Sequence, residues 1–225
     1  MRRVDGVHDM GGMHGFGPVV ETGGELPYRE PWEPRVFAIQ MLISAEGLGA
    51  GPGGRATREE MDPAHYLAAS YYERWLYSAE QRLLRRGTIA PGDVEAMVVR
   101  LEGAETMPPH ADAAMAERIL DELRTAHPMG PAPAQGAFSP GQRVRVRRMH
   151  PQGHTRCPRY VRGAVGVVEA VRGVDRLPDR ATYGEKIQPE PVYSVSFSSE
   201  ELWGAGQEPA FTVLLDLWAS YLEPA

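Results

Sequence analysis

His127-Pro128-Met129-Gly130-Pro131-Ala132-Pro133-Ala134-Gln135-Gly136-Ala137-Phe138-Ser139-Pro140-Gly141 is the stretch on which the fold turns. Four prolines and three glycines in this run mark a linker. The hydrophobic period changes across it. Before it, apolar residues recur at helical spacing. After it they alternate, as in Arg143-Val144-Arg145-Val146-Arg147. The sequence therefore predicts an α+β protein, with a helical domain over 32–126 and an all-β domain over 142–225. Candidate strands are Gln142–Arg148, Gly163–Val171, Val192–Phe197 and Phe211–Trp218. Short strands at this spacing predict a small barrel of SH3-like type. Glu200-Glu201-Leu202-Trp203-Gly204 reads as a helical turn between strands. The aromatics of the last residues, Trp218 and Tyr221, predict a docked C-terminus.

In the helical domain, residues 32–48 read as a helix. Trp32, Val36, Ile39 or Gln40, and Ile43 fall at helical spacing, with Phe37 and Met41 beside them and Pro31 near the start. Residues 47–54 form a glycine-rich loop that ends at Arg55, and residues 57–61 read as a short helical turn. Asp62-Pro63 opens a helix, with aspartate as N-cap and proline at the first helical position. That helix is predicted to run to Arg86 and stop at Gly87. Ala69, Tyr72, Leu76, Ala79 and Leu83 make its core stripe. Leu67, Tyr71, Trp75 and Ser78 make an adjacent one. So wide an apolar arc either packs entirely in a core or turns Tyr71 and Trp75 toward a partner or a pocket. Residues 91–102 and 111–126 read as two further, structural helices.

Residues 1–31 are glycine-rich and aperiodic, yet Val7, Met10, Met13 and Phe16 are more apolar than a disordered tail. They predict an extended arm, lying on its own domain or wrapped over a partner subunit. Residues 1–31 are read as an extended arm that contacts a partner subunit.

Composition narrows the class. A chain of 225 residues suits one large domain or two small ones. A net charge of −6 argues against a nucleic-acid or membrane binder. One cysteine permits no internal disulfide and suits a reducing cytoplasm. No signal-peptide pattern opens the chain, and no apolar run approaches the roughly 18 residues that span a bilayer. No histidine or cysteine pair has zinc-site spacing, and no Walker loop, GxSxG or HExxH occurs. The chain by itself shows no complete catalytic site and no metal site.

From Phe138 through Arg162 there are seven arginines and no acidic residue. Most of that charge is one solvated strand face. Arg156 differs, because it sits in a loop between the turn at Pro151-Gln152-Gly153 and the strand after Gly163. Pro158 fixes its own φ and biases Cys157 away from helix. Such a loop presents Arg156 either as a surface charge or as a two-pronged grip on an oxyanion.

Several separated motifs together carry a family resemblance. They are Asp5-Gly6-Val7-His8-Asp9-Met10-Gly11-Gly12 with Gly15-Phe16-Gly17, Met61-Asp62-Pro63-Ala64-His65-Tyr66, and Tyr71-Tyr72-Glu73-Arg74-Trp75. Further along are Gly153-His154-Thr155-Arg156 with Tyr160-Val161-Arg162-Gly163, Glu200-Glu201-Leu202-Trp203-Gly204, and Tyr221-Leu222-Glu223-Pro224-Ala225. Along its full length the chain resembles the β subunit of nitrile hydratase.

The resemblance implies an enzyme that hydrates nitriles to amides, active only with an α subunit as αβ or α2β2. The metal would belong to that α subunit, held by a cysteine motif in which two sulfurs are oxidised to sulfinate and sulfenate. None would be bound by this chain alone. Arg55 and Arg156 would correspond to the two arginines that hydrogen-bond the oxidised cysteines, and Tyr71 to the active-site tyrosine. Phe37, Trp75 and Tyr72 would line the apolar substrate pocket. A tryptophan at position 75 resembles the cobalt(III) branch more than the iron(III) branch.

Two positions depart from the family pattern. Cys157 stands where relatives carry another residue, and the glycine run before Arg55 is looser than the helical sequence usual there. Other readings weighed are a thiocyanate-hydrolase-like subunit, a metallochaperone or activator of the α subunit, and a nucleic-acid-binding barrel.

Overall fold

The computed structural model describes residues 5–18, 28–103, 106, 111–124, 129–131, 136–206 and 209–225. Parts of the predicted arm (1–4 and 19–27), of the linker (127–128 and 132–135) and the last two residues of the predicted 111–126 helix lie outside them. The chain forms two compact units, Val20–His127, and Met1–Val19 together with Pro128–Ala225.

The first unit is helical, with α1 (Glu33–Ala45), α2 (Gly54–Glu59), α3 (Pro63–Ala68), α4 (Tyr71–Arg86), α5 (Asp93–Glu102) and α6 (Ala113–Arg124). Helix α1 begins without a side-chain N-cap. Instead the Glu33 carboxylate accepts from the Arg29 and Glu30 amides at 2.5 and 3.4 Å. It buries Val36, Gln40 and Ile43, so Gln40 and not Ile39 completes the stripe. A glutamine is tolerated there because both ends of its amide are used: Nε2 donates to the Trp75 carbonyl at 2.6 Å and Oε1 accepts from Arg82 at 3.3 Å.

Helix α2 begins at Gly54, three residues earlier than the predicted turn, and so takes Arg55 out of the glycine loop. Asp62 caps α3, its carboxylate accepting from the Ala64 and His65 amides. The predicted single helix from Pro63 to Arg86 is in fact two. Ala69 is extended (ψ 142°), and Ser70 starts α4 with a capping box. In it the Glu73 amide donates to the Ser70 hydroxyl, and the Ser70 amide donates to the Glu73 carboxylate. On α4 Tyr72, Ser78 and Ala79 are buried. Leu76, predicted in the core stripe, is 44% exposed. Gly87 closes the helix in the left-handed conformation (φ 76°).

The second unit is built on one antiparallel sheet of β1 (Arg143–Val146), β2 (Val165–Asp175), β3 (Glu190–Ser198), β4 (Thr212–Trp218) and β5 (Leu222–Pro224), in the order β4-β3-β2-β1-β5. Two short helices, α7 (Pro178–Ala181) and α8 (Ser199–Trp203), sit between strands. Among the described residues no ladder joins β4 to β5, so the sheet is an open five-stranded one. Arg143 and Arg145 face out while Val144 and Val146 are fully buried, as the alternation demands. The core they enter includes Val168, Val195, Phe197, Leu217, Tyr221 and Leu222.

Residues 5–12 pack on this unit. Gly11 lies against the Tyr160 ring, where a Cβ would come within 2.5 Å of a ring carbon. Tyr160 in turn stacks on Trp203, with centroids 5.7 Å apart. Farther along, Met13 and Phe16 are exposed.

Candidate functional site

Four of the six sequence-nominated residues meet in the helical unit. Tyr71, Tyr72 and Trp75 come from the first turns of α4, and Phe37 from the middle of α1. Their rings contact in sequence: Tyr71–Tyr72 at 5.1 Å, Tyr72–Trp75 at 5.8 Å, Tyr71–Trp75 at 5.7 Å and Phe37–Trp75 at 6.0 Å. All the angles are tilted or edge-on, the arrangements ring quadrupoles favour. Tyr72 is the buried member. Burial, with Tyr28 beside it, raises its phenol above the ordinary value. Tyr71 is 60% exposed, so its ring is available to something outside this unit.

Arg55 and Arg58 stand one helical turn apart on α2, the spacing that shares a face. Arg55 is exposed. The Arg58 guanidinium lies over the Trp75 ring at 4.5 Å from its centroid. Burial first, and then neighbouring Arg55, hold Arg58 below the ordinary arginine value, and Tyr71 opposes that shift. The residue falls outside the set read from sequence, because α2 was begun too late to place 55 and 58 on one helix. A helix started at Gly54 would have revealed the pair.

Two hydrogen bonds hold the start of α2. The Ser78 hydroxyl donates to the Gly54 carbonyl at 3.0 Å, and the Thr57 hydroxyl donates back to the Pro52 carbonyl at 3.0 Å. Both side chains are fully buried. Gly54 allows this closeness, since a Cβ there would meet Gln40 Oε1 at 3.3 Å and Ser78 Oγ at 3.4 Å.

Arg156 lies in the other unit, in the loop before β2, and is exposed. Its amide donates to the Tyr221 hydroxyl at 3.3 Å, and that hydroxyl donates to Asp179 of α7. Burial, with Asp179 next to it, drives the Tyr221 phenol far above its usual value. The preceding His154 amide donates to the Tyr183 hydroxyl at 2.9 Å. Arg156 also borders a cavity of about 300 Å³ with Met129, Pro158, Val192, Leu215 and Trp218 in its wall. Asp179 carries no sequence signal, because α7 is a four-residue turn with no periodicity, and Tyr221 reads from sequence only as a docked aromatic.

Cys157 is fully buried, and burial pushes its thiol up to about 12, against the opposing pull of Arg162. It is therefore a protonated, inert group at neutral pH. Among the described residues no three His, Cys, Asp or Glu side chains are grouped to hold a metal ion. The described part of this chain does not fit the donor set of a metal centre.

Two family descriptions match: "Nitrile hydratase beta subunit, N-terminal" over residues 4–123 and "Nitrile hydratase beta subunit, C-terminal" over residues 128–224. The nitrile hydratase subunit beta of Pseudomonas putida is 35% identical, across 99% of this chain and 100% of its own length. The low-molecular weight cobalt-containing nitrile hydratase subunit beta of Rhodococcus rhodochrous is 31% identical, over 99% and 100%. The cobalt-containing nitrile hydratase subunit beta of Pseudonocardia thermophila is 33% identical, over 98% and 96%. A solved structure of a thiocyanate hydrolase from Thiobacillus thioparus aligns with a TM-score of 0.42 and 22% identity, over 52% of this chain and 100% of that one. With both halves matched and relatives aligned end to end, the chain belongs to the nitrile hydratase β-subunit family.

Proposed function

We propose that this chain is the β subunit of a nitrile hydratase, active as an αβ or α2β2 complex that hydrates nitriles to primary amides. The observation that carries the reading is the contact cluster of Phe37, Tyr71, Tyr72 and Trp75 beside Arg55 and Arg58, in a chain matched to the family along its length. In this reading the cobalt named in two relatives belongs to the α subunit. The chain's own part is to bind, orient and stabilise.

Phe37, Trp75 and Tyr72 form an apolar wall that accepts the organic part of the nitrile and excludes bulk water. Tyr71 keeps its ring on that wall and extends a phenol that hydrogen-bonds the substrate or a partner oxyanion. Arg55 and Arg156 present planar, permanently charged forks, the chemistry suited to oxidised cysteine sulfurs of the α subunit. Charges placed before the reaction begins need not reorganise during it.

The five strands of the second unit belong, in this reading, to the SH3-like barrel class. Residues 13–18, with Met13 and Phe16 exposed, continue the arm toward the α subunit. The single cysteine, which permits no internal disulfide, supports a reducing cytoplasm as its compartment. Among the described residues no helix is long and apolar enough to cross a membrane.

Arg156→Lys tests the reading in the assembled complex. Lysine keeps the charge but cannot reproduce the fork, so turnover of acetonitrile should fall by roughly tenfold or more, the rate equivalent of about 1.4 kcal/mol. Full turnover would remove Arg156 from the site.

A further inference from the structure

Arg162 is a nearly buried cation that the proposed site does not use. Its side chain is 5% exposed. Nε and Nη2 donate to the Cys157 carbonyl at 3.2 and 2.9 Å. Nη1 donates to Asp5 at 2.8 Å, and Nη2 reaches Asp9 at 3.3 Å. Asp9 is itself almost buried, and its carboxylate accepts from the Arg159 amide at 2.9 Å, at the start of the 3-10 turn Arg159–Val161. One guanidinium thus closes residues 157–162 into a ring and ties that ring to two carboxylates of the N-terminal segment.

The ring begins one residue after Arg156. On the other side, the Arg156 amide donates to the Tyr221 hydroxyl, which Asp179 holds in turn. The main chain at 156–157 is therefore fixed at both ends, by Tyr221 before and by Arg162 after. A solvated surface arginine needs no such frame. A fork that must meet a partner oxyanion within a fraction of an ångström does.

We propose that Arg162, held by Asp9 and Asp5, is a positioning residue that sets the main chain from which Arg156 projects. The N-terminal segment thereby becomes part of the site's scaffold. This rests on the placement of Arg156 at the site proposed above. Lysine cannot replace Arg162, because one ammonium cannot bridge a carbonyl and two carboxylates in the plane that the fork uses. The substitution should act on turnover, through the aim of Arg156, and leave nitrile binding to the aromatic wall.

The test is a double-mutant cycle in the assembled α–β complex, with Arg162→Lys, Arg156→Ala and both together. Acetonitrile kcat and KM, the Tm of the complex and its metal content are read for each. Arg162→Lys should lower kcat by about tenfold with KM changed less than about twofold, and in the Arg156→Ala background the same change should alter kcat by less than about twofold. An equal fold-loss in both backgrounds would overturn the proposal, because the effect would not pass through Arg156. Full turnover of Arg162→Lys beside a slow Arg156→Ala would overturn the positioning role alone. Full turnover of Arg156→Ala would overturn the reading of Arg156 and the positioning role with it. Should Arg162→Lys not assemble, Asp9→Asn enters the same cycle, with the same results expected.

Discussion

Ser78 of α4 donates its hydroxyl to the carbonyl of Gly54, the first residue of α2, at 3.0 Å. Ser78 is fully buried, and the bond sets α2, and with it Arg55, against the helix that carries the aromatic cluster. A net hydrogen bond of this kind is worth about 1 kcal/mol. Ser78→Ala should lower stability by about that amount in a urea titration, and should reduce turnover of the complex because Arg55 loses its seat. Unchanged stability and turnover would show that α2 is held by its other contacts.

The break between α3 and α4 makes a second prediction. Ser70 caps α4, and Tyr71 is the next residue, so the cap also sets the Tyr71 ring. Ser70→Ala should cost about 1 kcal/mol, within the usual range for lost caps. Hydrogen bonds from the Ser70 amide and hydroxyl region hold the exposed Glu73 carboxyl below its usual range. A depressed carboxyl contributes above its unfolded value and loses that contribution as pH falls through the folded one. Acidification should therefore weaken the wild-type cap and leave Glu73→Gln, whose side chain does not titrate, unaffected, which amide exchange in the first turn of α4 would report.

Arg58 over Trp75 is the contact that defines the wall's edge. Arg58→Met keeps the aliphatic packing and removes the charge. Stability should fall by about 0.5–2 kcal/mol, the span of cation–π contributions from exposed to desolvated sites. Trp75 fluorescence should shift at the same time. A variant as stable as wild type, with unchanged emission, would make the stack incidental.

Much of this arrangement was legible beforehand, for reasons that particular residues make clear. Asp62-Pro63 marked the start of α3 because an N-cap and a fixed φ act locally. Val144 and Val146 marked β1 because their period of two needs no tertiary knowledge. The break at Ala69 was missed although Ser70 and Glu73 stand at capping-box spacing; the continuous apolar stripe hid it. Leu76 reads as core because it stands four residues from Tyr72, but spacing does not say what covers a face, and Leu76 is 44% exposed. Strand β5 is only three residues long, and its pairing with β1 is purely non-local. The same holds for Arg162: nothing local ties it to Asp5 and Asp9, which lie more than a hundred residues away.

Cys157 gives a pH test. Its folded value of about 12 lies above the ordinary thiol value of 9.0, because burial disfavours the thiolate. A raised group contributes fully below its unfolded value and loses that contribution as pH climbs toward the folded one. Between pH 9.0 and about 12 the wild type should therefore lose up to about 1.4 kcal/mol per pH unit from this residue. Cys157→Ala should lack that slope in denaturant titrations at pH 8 and 10.5. In the native protein the thiol should also resist an aromatic disulfide reagent that labels the unfolded chain rapidly. Parallel slopes, or fast native labelling, would mean that the thiol is open to solvent.

The central claim is that this chain completes a nitrile-hydrating site with a metal-bearing partner. The most direct measurement is to purify the tagged chain from its native host and assay three quantities together: the stoichiometric partner, the metal content, and amide formation from acetonitrile or benzonitrile. The account predicts an equimolar partner with a cysteine motif, bound cobalt or iron, and amide product. A chain that purifies without a partner or metal and forms no amide, under conditions where a mild cross-linker captures no complex either, would contradict it.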